Sequence, residues 1–297
     1  MSLPLHFINL DRVPERADFM HAQCAAAGFA SVTRFSAIDV KRMRPCARYR
    51  PERWGEYWSL LPSEVAVFES HRAIWEKIAA SERPGVVMED DVLISRHAGR
   101  ICEMLAARHE QFDMVKLDGL SLPLRLGPAT QVGEAEIRPL RSVVVPSAAA
   151  YLLSPAGARL LLHWSEQYCD HLDDFITRQR RGYRAYQLLP AVAVQAMFAE
   201  LSGVEHLPPS VAGSERTSNA PGGRAPKGPL IYRLFKQARR TWRKLKLATG
   251  ADRRLVARGG FVGEVPLAQD LSGYRENVFT RPRGEERKVA LSSAAKS

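Results

Sequence analysis

Three adjacent acids, Glu89, Asp90 and Asp91, directly follow the apolar run Gly85-Val-Val-Met88. A strand ending in carboxylates can set at least two of them at the carboxyl edge of a sheet, where α/β proteins bind ligands. Hard oxygen donors of this kind suit Mg²⁺ or Mn²⁺. The same triplet, taken alone, also describes a solvated turn. Its delivery by an apolar strand favours the metal reading, and a second strand exit, Lys116-Leu117-Asp118-Gly119, offers another carboxylate for the same edge.

The elements that would position these groups alternate along the chain. LPLHFINL has strand character, and DRVPER after it can open a helix with Pro14 in the first turn, ending near Gly28. Val67, His71, Ile74, Trp75 and Ile78 recur at helical spacing, which predicts a helix from Ser63, as its cap, to about Ala80. GVVM, FDMVKLDG and RAYQLLPAVAVQ read as further strands. SVVVPSAAAYLLS leads into a helix capped by Ser154 with Pro155 at its first position, and Asp170 to Gly182 reads as a short helix, acidic then basic. Such alternation predicts an α/β domain with a largely parallel central sheet flanked by helices.

In this order, FINLDRVPER, FSAIDV, LLPSEVAVFESHRAIWEKI, GVVMEDDV, FDMVKLDG, AAYLLSPAGARLLL and LLPAVAVQ resemble glycosyltransferase family 25, the bacterial lipopolysaccharide and lipooligosaccharide glycosyltransferases and their collagen-modifying relatives. The resemblance runs from Leu5 to Asn219. It departs where the family often has glycines before its counterpart of Tyr151, since Ser147, Ala148, Ala149 and Ala150 stand there.

The resemblance implies a glycosyltransferase-A-like fold, a UDP-sugar donor, usually UDP-galactose or UDP-glucose, and transfer with inversion at the anomeric carbon. It also implies that Glu89-Asp90-Asp91 acts as a DxD-type motif. Asp91 is the first choice as metal ligand, with Glu89 or Asp90 assisting, because a divalent cation stabilises charge developing on the departing diphosphate. Inverting transfer needs a base to take the acceptor hydroxyl's proton. Asp170, Asp173 and Asp174 in CDHLDDF are the candidates, Asp170 foremost; Asp173 and Asp174 equally suit first-turn acids that complement a helix dipole.

Arg12 and Arg16 open the first helix, where a nucleotide's phosphates would meet both cations and a helix N-terminus; their alternative is a solvated pair. His71 lies on an apolar stripe, as core histidines do, while the Ser70-His71 pair matches the family and leaves a role in shaping the donor site open. Asp39 matches a second recurrent acid whose plain reading is a turn residue. Gln195, Ser214, Ser218 and Asn219 match late family segments without an assigned chemical role.

The chain has 297 residues, 45% hydrophobic and 25% charged, which is globular composition and excludes a fibre or a fully disordered chain. Its longest nearly apolar stretch, Val143 to Leu153, is 11 residues, far short of the roughly 20 that span a bilayer. The N-terminus lacks the basic region of a secretory signal. Cys24, Cys46, Cys102 and Cys169 are widely spaced, as in reduced cytosolic proteins.

Net charge is +11, and Lys227 to Arg254 holds ten basic residues and one acid, leaving the remainder at only +2. The expected organisation is a catalytic domain over 1–212, a Ser/Gly/Pro-rich linker over 213–229, a basic amphipathic helix over 230–254 and a polar, flexible tail over 255–297. In the helix, Ile231, Leu234, Phe235, Ala238, Trp242 and Leu245 form an apolar stripe among cations. The expected partner of that face is an anionic membrane surface, where a lipid-linked glycan acceptor would be met; packing on the domain and nucleic-acid binding are the alternatives. The combined expectation is a cytoplasmic enzyme, peripheral at the inner face of a membrane. A metal-dependent phosphohydrolase and a non-catalytic scaffold are the competing classes.

Overall fold

The structure, a computed structural model, describes residues 2–51, 58–120, 122–196, 211, 228–248 and 250–271. The chain begins β1 (Pro4–Asn9), α1 (Pro14–Ala26), β2 (Ser31–Ser36), α2 (Pro62–Ser81), β3 (Gly85–Glu89) and β4 (Val92–Ile94). It continues through α3 (Ala98–Ala106), β5 (Met114–Lys116), β6 (Pro123–Leu126), β7 (Thr130–Val132), β8 (Ala135–Pro139) and β9 (Ala150–Leu153). Then come α4 (Pro155–Trp164), α5 (Leu172–Thr177), β10 (Ala185–Leu189) and β11 (Ala193–Gln195), followed by α6 (Leu230–Ala248), α7 (Ala251–Ala257) and β12 (Phe261–Glu264).

Eight strands form one sheet in the order β2-β1-β3-β9-β5-β10-β8-β7. The pairs β1/β2, β1/β3 and β5/β10 are parallel, whereas β9 runs antiparallel to both β3 and β5, and β8 antiparallel to β10 and β7. The sheet is therefore mixed rather than largely parallel. The reason is local: Ala150-Tyr-Leu-Leu153 is apolar on both faces, so its pattern marks burial and carries no direction.

Side chains alternate across the sheet with period two. Leu5, Phe7, Val86, Met88 and Leu152 join a core with Met20 and Cys24 of α1 and Cys102 and Leu105 of α3. Val87, Tyr151 and Leu153 face the other way, onto Phe68, Ile74, Trp75 and Ile78 of α2, Ala158 and Leu161 of α4 and Phe175 of α5. Helices thus cover both faces.

Two helix starts illustrate how caps are made. Ser154 caps α4 as expected, accepting the Gly157 N–H at 3.0 Å. Ser63 does not cap α2. Pro62 takes the first position, and Glu64 reaches back to the Leu61 N–H at 2.7 Å, so the N-cap residue is one with no polar side chain.

The chain after α6 is not the polar tail expected from 255 onward. β12 pairs antiparallel with β6, Asp252 grips the Arg125 guanidinium at 2.7 and 2.9 Å, and the Ala191 N–H donates to Pro266 O at 2.8 Å. Leu271 is buried in the core below α1. A four-residue strand held by backbone bonds leaves little trace in composition, which is why Phe261–Glu264 went unseen. Residues 272–297 and most of the 213–229 linker lie outside the described residues.

Candidate active site

The carboxyl ends of β1, β3 and β5 and the start of β9 meet at one sheet edge. The acids at the end of β3 divide there. Asp90 turns toward α1, accepting from Asn9 Nδ2 at 2.7 Å and from Arg16 Nη1 at 3.1 Å. Glu89 and Asp91 turn the other way and converge on one amide: Gln195 Nε2 lies 3.1 Å from Glu89 Oε2 and 3.1 Å from Asp91 Oδ2. Gln195 is delivered by β11, which pairs antiparallel with β4 just beyond the Asp90-Asp91 turn. Burial, then the nearby Glu89 and Asp90 charges, push the Asp91 carboxyl up to about 8.

Two carboxylates thus face one amide, one of them raised first by burial and then by its acidic neighbours, and a divalent cation is a group that such a pair could hold. Among the described residues no group of three His, Cys, Asp or Glu side chains forms a metal cage. Glu89 and Asp91 offer two carboxylates, so a divalent cation held here would need its other ligands from outside the protein, as Mg²⁺ commonly does.

His71 projects from α2 into the same corner and is fully buried. Burial pushes its imidazole down to about 3, so it is neutral. Tyr151 on β9 accepts the Trp75 indole N–H at 2.8 Å and lies 2.9 Å from His71 Nδ1. With that acceptor role filled, the tyrosine proton goes to Nδ1 and the imidazole hydrogen to Nε2. Nε2 has no hydrogen-bond partner and stands 3.8 Å from Glu89 Oε1. His71 is thus a core residue on one side and faces the acidic pair on the other.

The base candidates also separate. Asp170 is bound by Arg178 at 2.7 Å. Asp174 is buried. Asp173 is half-buried and reaches the sheet edge, where Oδ2 accepts the Ser147 N–H at 2.9 Å. Asp173 is also near enough to act electrostatically on His71.

Ser147 joins this group to β5. Its hydroxyl donates to Asp118 Oδ2 at 2.6 Å, and Asp118 pairs with Lys116 Nζ at 2.5 Å, both buried. The Ser147 φ of +69° lies in the left-handed region that favours glycine. This is the stretch where glycines were missing from the family pattern, and the hydroxyl hydrogen bond holds the strained backbone instead. Replacement by glycine is expected to destabilise less than replacement by alanine, since both lose the bond to Asp118 at about 1–3 kcal/mol but only glycine releases about 1 kcal/mol of backbone strain. Urea melts of the two variants check this order.

On the β1/β2 side, Arg12 pairs with Asp39 at 2.6 Å. The Lys41 N–H first, and the Arg12 guanidinium beside it, hold the Asp39 carboxyl below the usual carboxylate range. Ser70 Oγ accepts the Ile38 N–H at 2.9 Å, so the serine beside His71 ties the FSAIDV segment to α2. Arg34 donates to Asn9 Oδ1 and to Asp11, completing a rim of arginines and acids next to Asp90.

Arg12, Arg16, Asp39, His71, Glu89, Asp90, Asp91 and Asp173 are thereby gathered along one edge, while Asp170 is held by Arg178. The sequence reading assigned no role to Gln195, and Asn9, Tyr151 and Ser147 went unassigned; the family-like LLPAVAVQ was the one signal for the first of them. Ser214, Ser218 and Asn219 lie outside the described residues.

The chain is a mixed α/β domain whose candidate site lies at the strand carboxyl ends, the edge where open α/β sheets commonly bind ligands. Residues 3–123 match the sequence model of glycosyltransferase family 25, described as LPS biosynthesis proteins. The matched stretch contains Arg12, Arg16, Asp39, His71 and the acidic triplet, and stops short of Asp173 and Gln195. No curated protein matches the chain. Among the described residues no helix is long and apolar enough to cross a membrane.

Proposed function

We propose that the chain is an inverting glycosyltransferase of glycosyltransferase-A-like fold. It moves a hexose, galactose or glucose, from a UDP-sugar to a hydroxyl of a lipopolysaccharide or other surface-glycan acceptor at the cytoplasmic face of a membrane. The observation that carries this reading is the convergence of Glu89 and Asp91 on Gln195, beside Asp173 and His71. The family match over 3–123 supports it.

In this reading Glu89 and Asp91 hold Mn²⁺ or Mg²⁺, which when bound supplies positive charge for the diphosphate leaving group. Arg12 and Arg16 sit where donor phosphates approach α1. The acceptor oxygen attacks the anomeric carbon as that carbon's bond to the diphosphate oxygen breaks. UDP departs with the bonding pair, and the acceptor proton passes to a carboxylate. Asp173 replaces Asp170 as the favoured base, because the Asp170 oxygen is committed to Arg178 whereas Asp173 stands at the edge with Glu89 and His71. Gln195 fixes the two metal-holding carboxylates in register, and neutral His71 stands beside Glu89 without adding a positive charge that would compete with the cation.

A donor-hydrolysis screen across UDP-galactose, UDP-glucose, UDP-N-acetylglucosamine and other nucleotide sugars tests the reading. Release of UDP from a hexose donor only with Mn²⁺ or Mg²⁺ present is expected. Phosphate release from simple esters with no UDP-sugar turnover would instead establish a phosphohydrolase.

A further inference from the structure

Over its described side chains, helix α6 exposes large apolar residues. Leu230, Ile231, Leu234, Phe235 and Trp242 are all exposed, Trp242 at 70%. Among the described side chains of this helix only Tyr232 is deeply buried, its ring 5.2 Å from that of Trp58. Among the described side chains, then, the large apolar residues of the stripe are more than half exposed and are not sealed against the domain, the packing alternative raised by the sequence. A row of exposed large apolar side chains this long on a soluble face marks a contact surface.

The charge on the same helix selects its occupant. Residues 230–248 carry seven Lys and Arg and no acid. A second copy packed stripe to stripe would bring seven more cations with no carboxylate on the helix to pair them. A nucleic acid would satisfy the cations and leave the leucines, phenylalanine and tryptophan in water. An anionic bilayer satisfies both at once, taking the apolar row below the headgroups while cations remain at their level.

We propose that α6 docks in the interface of an anionic lipid bilayer. Tyr232 and Trp58 then fix the orientation of the domain on that surface. Trp58 lies against α6 on one side, and its carbonyl oxygen faces Cys169 Sγ at 3.6 Å on the other, immediately before the Asp170–Asp174 segment. A docked α6 therefore holds the α5 corner of the domain close to the membrane. The docking itself does not depend on the glycosyltransferase reading.

Co-sedimentation of the full chain with vesicles tests this. Binding is expected to phosphatidylcholine–phosphatidylglycerol vesicles and not to phosphatidylcholine alone, and to weaken as added salt shortens the screening length. Trp242→Ser is expected to weaken it about tenfold through lost apolar burial, and Arg233→Gln with Arg240→Gln about thirtyfold through two lost headgroup contacts. Both sets of changes lie on exposed positions, so an unchanged melting temperature separates lost docking from lost folding. Equal binding to neutral vesicles, or no vesicle binding at all, overturns the proposal. So does concentration-dependent dimerisation lost on Trp242→Ser without vesicle binding, or duplex DNA binding insensitive to Trp242→Ser.

Discussion

Asp91→Asn is expected to abolish metal-dependent donor turnover while making the metal-free protein more stable at alkaline pH. On the proposed function, in which Asp91 holds the metal at the leaving group, its loss should lower kcat on the order of a thousandfold. The stability effect has the opposite sign and a defined pH window. Asp91 is raised from its ordinary 3.8 to about 8, so the folded state binds its proton more tightly than the unfolded chain does. Its contribution is fully present below about 3.8 and is lost as pH rises through about 8. Asparagine carries no such titration. The variant should melt above the wild type at pH near 8.5, and the two curves should converge toward pH 4. Calorimetry across this range checks the stability claim, and a UDP-release assay checks the catalytic one. A variant that is both inactive and less stable at every pH would mean that Asp91 is a structural residue.

The second large effect separates Asp173 from Asp170. Asp173→Asn is expected to lower kcat by about 10²–10⁴ with the donor KM unchanged, because general-base loss slows proton transfer and leaves donor binding intact. Asp170→Asn removes the partner of Arg178 and is expected to lower the melting temperature while kcat stays within about tenfold of wild type, as fits an ion pair whose loss costs stability more than rate. Steady-state kinetics with a hexose donor, alongside thermal melts, reads both outcomes. A large kcat loss at Asp170 with none at Asp173 would return the base role to Asp170.

Why the sequence pointed first to Asp170 is physical. CDHLDDF supplies three carboxylates within five residues, and their directions depend on where a six-residue helix meets the sheet edge. Arg178, eight residues on, captures Asp170 once α5 ends, a contact that linear spacing does not display. The acidic triplet behaved similarly. Its position at a strand end was readable from GVVM, but the split between Asp90, facing Asn9 and Arg16, and the Glu89/Asp91 pair follows from the turn into β4.

Elements with strong local signals were readable: the apolar stripe of α2, the Ser154 cap with Pro155, and the strand delivering Glu89. Elements held mainly by backbone partners were not. The antiparallel direction of β9 and the return of β12 onto β6 depend on strands distant in sequence. Gln195 belongs with these, since its role arises only when β11 pairs with β4 and brings the amide to two acids 104 and 106 residues away. His71 carried two readings, core residue and site residue; it is fully buried, with one ring nitrogen meeting Tyr151 and the other facing Glu89, a placement that periodicity alone does not display.

Diffraction data collected at the manganese absorption edge, from crystals soaked with Mn²⁺ and UDP, test the central claim most directly. The account predicts a single anomalous peak within coordination distance of Glu89 and Asp91, with the diphosphate on its far side and the Gln195 amide still touching the carboxylates. A nucleotide bound elsewhere, or manganese absent from this pair while the two acids keep their present contacts, would contradict it.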